Sequence, residues 1–394
     1  MEWTAYEKKC PIDDYEDGIH PGFKELDKDN MVVKIPSIFH WIRSTFIDEK
    51  DLDEDEYIKS SFFERRKLIF ENSLDAWKIE NIVGWYFDGK VYKEEKEAIK
   101  AIVDFLIIDY NITDFLYIPE EFGIPVSFYF SFLAEILLNC SYLNVKDKSF
   151  SLLEIEFYYN SPNHPDPYPH CDKDQKESGN WYFHKTGKNY RSGTFKGLDI
   201  TLNNINRKGI KIKSYGGILI RSIKDEDNII CGPCLCVNEI LKIHNKESID
   251  ELVEDENYIK SINSGAPYPD EETGLMILLC DVETYYERNI QKSIRIGLNM
   301  NKKDVDKKIQ REYCFKPYRY FATDYKLSKG RTHGILGMIN EGKTKDEIVE
   351  IFGPSNVDKL IENYNEGQHM NIKDFYDKKL EDKDLAFVLG ACNE

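Results

Sequence analysis

The 394-residue sequence contains no apolar run approaching the roughly 20 residues that a membrane-spanning helix needs. Its most apolar stretch, residues 101–108, is short and includes Asp104. The first residues, MEWTAYEKKC, lack the basic and then apolar pattern of a secretory signal. These absences argue against a secreted or membrane-embedded protein, so we expect an intracellular location, in the nucleus or cytoplasm, and no membrane partner.

Basic residues are scarce relative to acidic ones. The chain has 53 Lys and Arg against 71 Asp and Glu, which gives a formal net charge of −18. A general nucleic-acid coat and a membrane-surface binder both use Lys and Arg to neutralise phosphate groups, so this balance argues against both classes. Any nucleic-acid site must therefore be local.

The nine cysteines form no disulfide framework, because their number is odd and they are scattered along the chain. This usage fits reduced thiols in an intracellular protein. Apolar and aromatic side chains, by contrast, are plentiful, at 41% and 13%. They are sufficient for sizeable cores, and at about 150 residues per domain the length indicates two or three domains.

Three zones differ in pattern and charge: an acidic helical accessory domain over residues 1–120, a strand-rich domain over 121–322 and a small helical domain over 323–394. Their net charges are −12, −2 and −4. Helical patterns lie at residues 62–77, 94–105, 128–139 and 234–243. Strand patterns lie at residues 152–159, 215–223, 275–281 and 293–300.

Interleaving of this kind, without regular strand–helix alternation, predicts an α+β fold. We expect a mixed or antiparallel curved sheet with flanking helices, and helical regions at both ends of the chain. The acidic N-terminal region and the helical C-terminal region are candidate contact surfaces for a protein partner.

The third zone contains helix-boundary signals. Thr344 and Glu347 can form a capping box, Gly353 ends that helix, and Ser355 can cap the next one. Two short helices joined by a Gly-containing turn resemble a helix-turn-helix. The second helix carries more acids than bases, a poor surface against phosphates, which favours a packing or protein-contact module over DNA reading.

The segment SLLEIEFYY, residues 151–159, is the most informative strand pattern. Alternate residues of a strand share a face, so Glu154, Glu156 and Tyr158 point one way. A carboxylate beside another acid and aromatic groups is a candidate general base, because burial and like charge raise its proton affinity. The alternative, favoured on this segment alone, is an exposed sheet face.

The next segment, PNHPDPYPHCD at residues 162–172, is rich in proline and in side chains that can bind zinc or iron. Its spacing matches no compact metal motif, so we predict no metal site. The prolines can instead fix the loop so that one histidine reaches a pocket.

Residues 181–201 interleave aromatic and basic side chains with three glycines. This combination suits phosphate contact with base stacking, and glycines let backbone amides approach an anion. A solvated, purely structural hairpin is the alternative. Residues 173–221 hold 11 bases against three acids, a local balance of +8. The bases expected to contact nucleic acid are Lys185, Lys188, Arg191 and Lys196.

Cys231-Gly-Pro-Cys234 lies between a strand and a helix, where a thioredoxin-type redox pair would lie. The tryptophan that usually precedes such a pair is absent, and Cys236 follows within two residues. Thiol oxidoreductase chemistry is therefore a third-ranked hypothesis, which predicts a lowered thiol pKa.

Taken in order, seven segments over about residues 125–322 resemble the alkyladenine (3-methyladenine) DNA glycosylase family, which excises alkylated or deaminated purines. The resemblance covers half of the chain. The segments are FLAEILL (132–138), Glu154-Ile-Glu156-Phe-Tyr158, Asp166-Pro-Tyr-Pro-His170, the hairpin 182–203, Gly217-Ile-Leu-Ile-Arg221, Cys231-Gly-Pro-Cys-Leu, and Arg295-Ile-Gly297 followed by Lys316-Pro-Tyr-Arg319-Tyr-Phe321.

The resemblance implies a glycosylase-like core that extrudes a purine, with Glu156 activating water. It implies no metal and no organic cofactor, and it gives Cys231-Gly-Pro-Cys234 a backbone role. The family's wedge tyrosine falls at Phe195 or Lys196, and a second stacking tyrosine falls at Ser192. The expected pocket residues are Tyr158, His170, Phe195, Asn203 and Arg221.

The leading hypothesis is thus a DNA or RNA N-glycosylase that binds nucleic acid on the surface of residues 173–221. The rival is a non-catalytic member that uses the same scaffold to bind nucleic acid, a ribonucleoprotein or a protein. In the rival case, we expect Glu156 to be paired with a base such as Arg221, without an open pocket beside it.

Overall fold

The structure is a computed structural model, and it describes residues 23–27, 30–34, 82–87, 90–94, 96–97, 99–100, 103, 112–118, 126–205, 211–226, 228–262, 275–279, 288–326, 328–378 and 380–392. The chain divides into two compact units. The first comprises residues 1–110, 118–132 and 204–212, and the second comprises 111–117, 133–203 and 213–394.

A four-stranded sheet lies in the first unit. Its strands are β1 (Phe23–Asp27), β2 (Asn30–Lys34), β3 (Ile82–Phe87) and β4 (Lys90–Tyr92). They follow in sequence order; β2 and β3 are parallel, and the other two pairs are antiparallel.

The helical prediction for residues 1–120 missed this sheet. The segments NMVVK and IVGWYF are rich in β-branched and aromatic residues, which favour strands, but they are too short to show a clear period. Within the predicted helix 94–105, residues 96–97, 99–100 and 103 are helical. The predicted helix at 62–77 lies outside the described residues.

Twelve further strands are described: β5 (Tyr117–Ile118), β6 (Ser141–Val145), β7 (Lys148–Asn160), β8 (Trp181–Phe183), β9 (Lys185–Thr186), β10 (Asn189–Tyr190), β11 (Leu198–Ile205), β12 (Lys211–Lys224), β13 (Ile229–Cys231), β14 (Leu275–Leu279), β15 (Ile290–Ser293) and β16 (Arg319–Ala322). Ten of them form the main sheet, whose central order is β14-β6-β7-β12-β11-β5. Strand β13 pairs with β12, β8 pairs with β11, and β16 pairs with both β7 and β15. The other two, β9 and β10, form a small separate hairpin.

The sheet confirms the α+β expectation and most of the predicted strands. The predictions at 152–159 and 215–223 fall within β7 and β12, and the described part of 275–281 is β14. The prediction at 293–300 is wrong, because β15 ends at Ser293 and the chain then turns through Gly297 at φ +80°. Arg295 leaves the sheet at this turn.

Eight helices are described: α1 (Val126–Asn139), α2 (Pro233–Ile243), α3 (Ile249–Val253), α4 (Lys307–Cys314), α5 (Arg331–Asn340), α6 (Lys345–Phe352), α7 (Val357–Gly367) and α8 (Asp382–Cys392). Helices α1 and α2 confirm the predictions at 128–139 and 234–243. No helix in the described part of the chain is long and apolar enough to cross a membrane.

Helices α5–α8 confirm the helical prediction for the third zone. The capping box of Thr344 and Glu347 begins α6, and Gly353 at φ +72° ends it. The predicted cap at Ser355 is wrong, because Asn356, at φ +62°, precedes α7 without a side-chain cap.

One hydrophobic core joins these helices to residues before the predicted boundary at 322. Ile335, Ile348 and Leu389 belong to this core, as do Met300 and Phe315. Burial of α6 and α7 residues in a shared core agrees with the packing interpretation of the helix-turn-helix pattern.

Candidate functional site

The predicted polar face of β7 is buried. Leu153, Ile155 and Phe157 are buried on one face, and Glu154 and Glu156 are buried on the other. The interpretation of this segment as an exposed sheet face is therefore wrong. Carboxylates in this position need charged or hydrogen-bonding partners, because burial disfavours an unpaired charge.

A β-bulge brings Arg221 to these carboxylates. Ile220 pairs with Ile155 and Ser222 pairs with Glu154, so Arg221 is one extra residue in β12. A bulge redirects a side chain, and here the guanidinium reaches both acids. Arg221 Nε lies 3.0 Å from Glu154 Oε1, and Arg221 Nη1 lies 3.2 Å from Glu156 Oε2.

Glu154 lies between two guanidinium groups. Arg319 Nε donates to Glu154 Oε1 at 2.6 Å, and the Ser222 hydroxyl donates to Glu154 Oε2 at 2.5 Å. Burial alone would raise the pKa of Glu154, but Arg319 and Arg221 outweigh it and lower the pKa to about 2. Glu154 is therefore ionised at every physiological pH.

Glu156 has both oxygens occupied and is 0% exposed. Its Oε1 accepts from the Ile296 amide at 2.7 Å, and its Oε2 accepts from the Tyr158 hydroxyl at 2.7 Å and from Arg221. A general base needs the reacting water within hydrogen-bond distance, and these three donors already hold the carboxylate. The pairing with Arg221 is the geometry expected of the non-catalytic rival.

Arg295 organises the loop that carries the predicted pocket histidine. Its guanidinium donates to Asp166 Oδ2 at 2.6 Å and to the Phe157 carbonyl at 3.0 Å. It also lies 4.7 Å from the centre of the Tyr158 ring, within cation–π range. Tyr158 is thus held by Glu156 at its hydroxyl and by Arg295 at its ring.

His170 lies beside a second polar cluster. Its ring centre is 4.3 Å from that of His184, whose Nε2 lies 2.7 Å from Asp199 Oδ1. Burial and the neighbouring His184 ring lower the pKa of His170 to about 4. The His170 ring is therefore neutral at physiological pH.

At Gly217, the Glu156–Tyr158 network approaches the polar cluster of His184 and Asp199. It is directly opposite Tyr158 in the β7–β12 pair, so the two residues share a face of the sheet. A Cβ atom at Gly217 would collide with Asp199 Oδ2 and would lie 3.0 Å from Gln175 Nε2. The Asp199 side chain therefore lies on the face that carries Tyr158.

The basic segment is a tight hairpin followed by a 3₁₀ turn, Gly193–Phe195. Lys185 is paired with Asp174 at 2.5 Å, and Arg191 donates to the Lys185 carbonyl at 3.2 Å. Lys188 is exposed and Lys196 is half-buried. Among the described residues, no carboxylate pairs with Lys188, Arg191 or Lys196.

Phe195, the predicted wedge, is 73% exposed. The described part of the chain has two other large exposed apolar side chains, Ile229 at 38% and Leu235 at 45%. Ser192, at the second stacking position, is also exposed.

Asn203, by contrast, is buried, and its amide is bonded to the Lys176 carbonyl and the Ser214 hydroxyl. These bonds connect the Lys176 turn to β12, which assigns Asn203 to structural support instead of the expected pocket.

The cysteine motif begins α2. Gly232 has φ +114° and donates its amide to the Arg221 carbonyl at 2.6 Å, while Pro233 occupies the first helical turn. Cys234 Sγ lies 3.0 Å from the Gly193 carbonyl. The described cysteines are free thiols, and burial raises the pKa of the Cys236 thiol. The motif thus has a structural role, because its Gly232 amide holds the backbone of Arg221 at the β-bulge.

The Pro-rich loop holds its other histidine in a structural role. His164 Nδ1 lies 2.9 Å from the Tyr159 carbonyl, and its Nε2 lies 2.9 Å from the Tyr318 hydroxyl. In the part of the chain that the structure describes, no group of three His, Cys, Asp or Glu side chains could hold a metal ion.

Sequence reasoning did not assign charge partners to Asp199, Arg295 or Arg319. Each is a single charged residue among apolar neighbours, in GLDIT, SIRIG and PYRYF. That isolation is a signal of a buried charge that requires a partner. The partner itself is far away in sequence, as for Arg295 and Asp166, so the pairing could not be read locally.

Comparison with known proteins gives a partial match. No protein-family model matches the chain. The chain is 46% identical over 133 residues to the uncharacterized protein L759 of Acanthamoeba polyphaga mimivirus. The matched segment covers 32% of this chain and 62% of that protein. No solved structure matches.

Proposed function

We propose that the chain is a divergent relative of the alkyladenine DNA glycosylases that binds unstacked nucleic-acid bases through Phe195. In this proposal, Glu154 and Glu156 hold the sheet together, and the nucleic acid is bound without base excision. The exposure of Phe195 is the observation that carries the proposal.

The surroundings of Phe195 support a nucleic-acid ligand. A single exposed apolar side chain is common in proteins and alone indicates little. Phe195, however, lies on a glycine-containing turn directly beside Lys196, and the preceding hairpin presents Lys188 and Arg191 without carboxylate partners. An aromatic ring with neighbouring cations suits a base with its phosphates.

The buried network supports binding over excision. Excision by an activated water needs space beside the carboxylate, and Glu156 is fully buried with three donors on its two oxygens. Arg221 balances both carboxylates and is itself buried. Such a network positions strands β7, β12 and β16 relative to one another.

The test is the affinity of wild type and of Phe195→Ala for labelled single-stranded DNA and RNA, measured by fluorescence anisotropy. Loss of one stacked base corresponds to about 1–3 kcal/mol, so we expect roughly 5- to 150-fold weaker binding. Ile229→Ala is the matched control, because Ile229 is also exposed and apolar and lies on β13, and its affinity should be unchanged. Equal weakening by both substitutions would overturn the proposal.

A second candidate, purine excision, is favoured by the shared face of Tyr158, Glu156 and the Asp199 cluster that contacts His170. Its test is single-turnover excision from oligonucleotides that contain hypoxanthine, ethenoadenine or 3-methyladenine. The glycosylase hypothesis requires that wild type releases the base and that a folded Glu156→Gln variant does not. Binding without product from any substrate supports the non-catalytic proposal.

A further inference from the structure

A cavity of about 370 Å³, open to solvent, lies where β16 ends and α5 begins. Its walls include Arg319, Phe321, Tyr325, Arg331 and Phe352. The volume is within the range of roughly 300–1,000 Å³ that is typical of small-molecule pockets. None of the predicted pocket residues lines it.

Positive charge is concentrated here in a chain whose net charge is −18. Arg319, Lys326, Lys329 and Arg331 line the cavity, against the single acid Asp324, whose Oδ2 accepts from the Asn289 amide at 3.3 Å. Arg319 is neutralised by Glu154. Neither Lys326 nor Lys329 has an ion-pair partner among the described residues.

The start of α5 adds to this positive potential. Arg331 is the first residue of the ten-residue helix, whose first turn contains no acid. The free amides at a helix N-terminus carry partial positive charge, so an anion bound there is stabilised. Arg331 is fixed by the carbonyls of Phe352 and Gly353, at 2.8 and 3.0 Å.

The Gly330 backbone, between Lys329 and Arg331, is held by the Arg319 side chain. Arg319 Nη1 donates to the Gly330 carbonyl at 3.2 Å, and a Cβ atom at Gly330 would lie 2.7 Å from Arg319 Nη2. Gly330 also adopts φ +73°, which favours glycine. The backbone on either side of Gly330, which carries Lys329 and Arg331, is thus positioned in advance.

Aromatic rings form the remaining walls. The ring centres of Phe321 and Phe352 are 5.9 Å apart, and Phe321 itself lies under the Arg319 guanidinium at 4.6 Å. The Tyr325 ring has Lys224 and Arg288 within 5.8 Å of its centre. Flat apolar walls beside unpaired cations match a ligand that carries both a planar ring and a negative charge.

We propose that this cavity binds a nucleoside phosphate, with the base against the Tyr325 and Phe352 rings and the phosphate at Lys326, Lys329 and the N-terminus of α5. Helix N-termini and lysines are common phosphate ligands. The ligand is either a free mononucleotide or the phosphorylated end of a strand. The site is independent of Phe195.

Calorimetric titration of the full chain with AMP, adenosine and inorganic phosphate tests the site. We expect saturable AMP binding and, for adenosine and phosphate, at least about tenfold weaker binding, because each makes only part of the contacts. Competition between AMP and oligonucleotides with or without a 5′-phosphate distinguishes the two ligand sources. If the phosphorylated oligonucleotide alone displaces AMP, the ligand is the end of a strand. If neither oligonucleotide displaces AMP, the ligand is a free nucleotide.

The double variant Lys326→Glu/Lys329→Glu should bind AMP at least about tenfold more weakly, since two attractive charges become repulsive. Lys303→Glu/Lys308→Glu is the matched control, because both lysines are exposed and lie outside the cavity, and its affinity should equal that of wild type. No AMP saturation, unchanged affinity in the cavity variant, or phosphate binding as tight as AMP would each overturn the proposal.

Discussion

The carboxylate of Glu154 accepts hydrogen bonds from two guanidinium groups and one hydroxyl in a buried part of the sheet. Sequence alternation predicted that Glu154, Glu156 and Tyr158 share a face. It could not show that the face is buried, because its partners Arg221 and Arg319 lie on strands that are distant in sequence.

Removal of the Glu154 carboxylate should destabilise the fold strongly. Glu154→Ala leaves Arg319 buried without its counter-charge and Arg221 with Glu156 alone, and breaking such a pair costs about 3–5 kcal/mol. Urea unfolding measures this difference. Glu239→Ala is the control, because Glu239 pairs with an exposed Lys242 and its loss should cost less than about 1 kcal/mol. Similar losses in both variants would contradict a structural role for Glu154.

Buried histidines should make stability depend on pH. Burial lowers the pKa of His164 to about 4, from an ordinary value of 6.5. His164 therefore binds a proton near pH 6.5 in the unfolded chain but only near pH 4 in the folded protein. The free energy of unfolding is largest above pH 6.5 and decreases as the pH falls toward 4.

The measurement is the free energy of unfolding at pH 6.5 and at pH 4 for wild type and His164→Gln. The variant should lose less stability over this interval, because it lacks the proton-binding group. His369→Gln, at an exposed position, should behave like wild type. An identical pH dependence of the free energy of unfolding in all three proteins would contradict a lowered pKa of His164.

Among elements, β7 and β12 were predictable because each is long and rich in β-branched and aromatic residues. The β-bulge at Arg221 could not be predicted from the sequence. It depends on the register of β12 against β7 and on the hydrogen bond from the Gly232 amide to the Arg221 carbonyl. The short strands β1–β4 gave too little periodicity to outweigh the surrounding helical pattern.

Helices α7 and α8 approach closely at two glycines. A Cβ atom at Gly390 would collide with the Tyr364 carbonyl, and one at Gly367 would collide with the Phe387 carbonyl. Gly390→Ala should therefore destabilise the chain by about 1–3 kcal/mol through overpacking, despite the better helix propensity of alanine.

Thermal unfolding measures the effect, with Lys359→Ala on α7 as a control that should stay within about 0.5 kcal/mol of wild type. A Gly390→Ala variant at least as stable as wild type would show that the two helices do not pack at this distance.

Across the whole molecule, the net charge conceals a local excess of positive charge. The zones carry −12, −2 and −4, yet residues 173–221 carry +8. The structure reduces the effective size of that basic surface, because Asp174 neutralises Lys185 and Arg221 is buried with two acids. Of the four predicted contact residues, Lys188, Arg191 and Lys196 are left for the proposed phosphate contact, so we expect the proposed binding to be weak.

Base stacking on Phe195 is the central claim, and 2-aminopurine fluorescence in a single-stranded oligonucleotide tests it most directly, because this base changes its emission when its stacking changes. Saturating wild type should change the emission of a 2-aminopurine at the bound position, and Ile229→Ala should do the same. Phe195→Ala, at concentrations that restore saturation, should not. An emission change with Phe195→Ala equal to that of wild type would contradict the account.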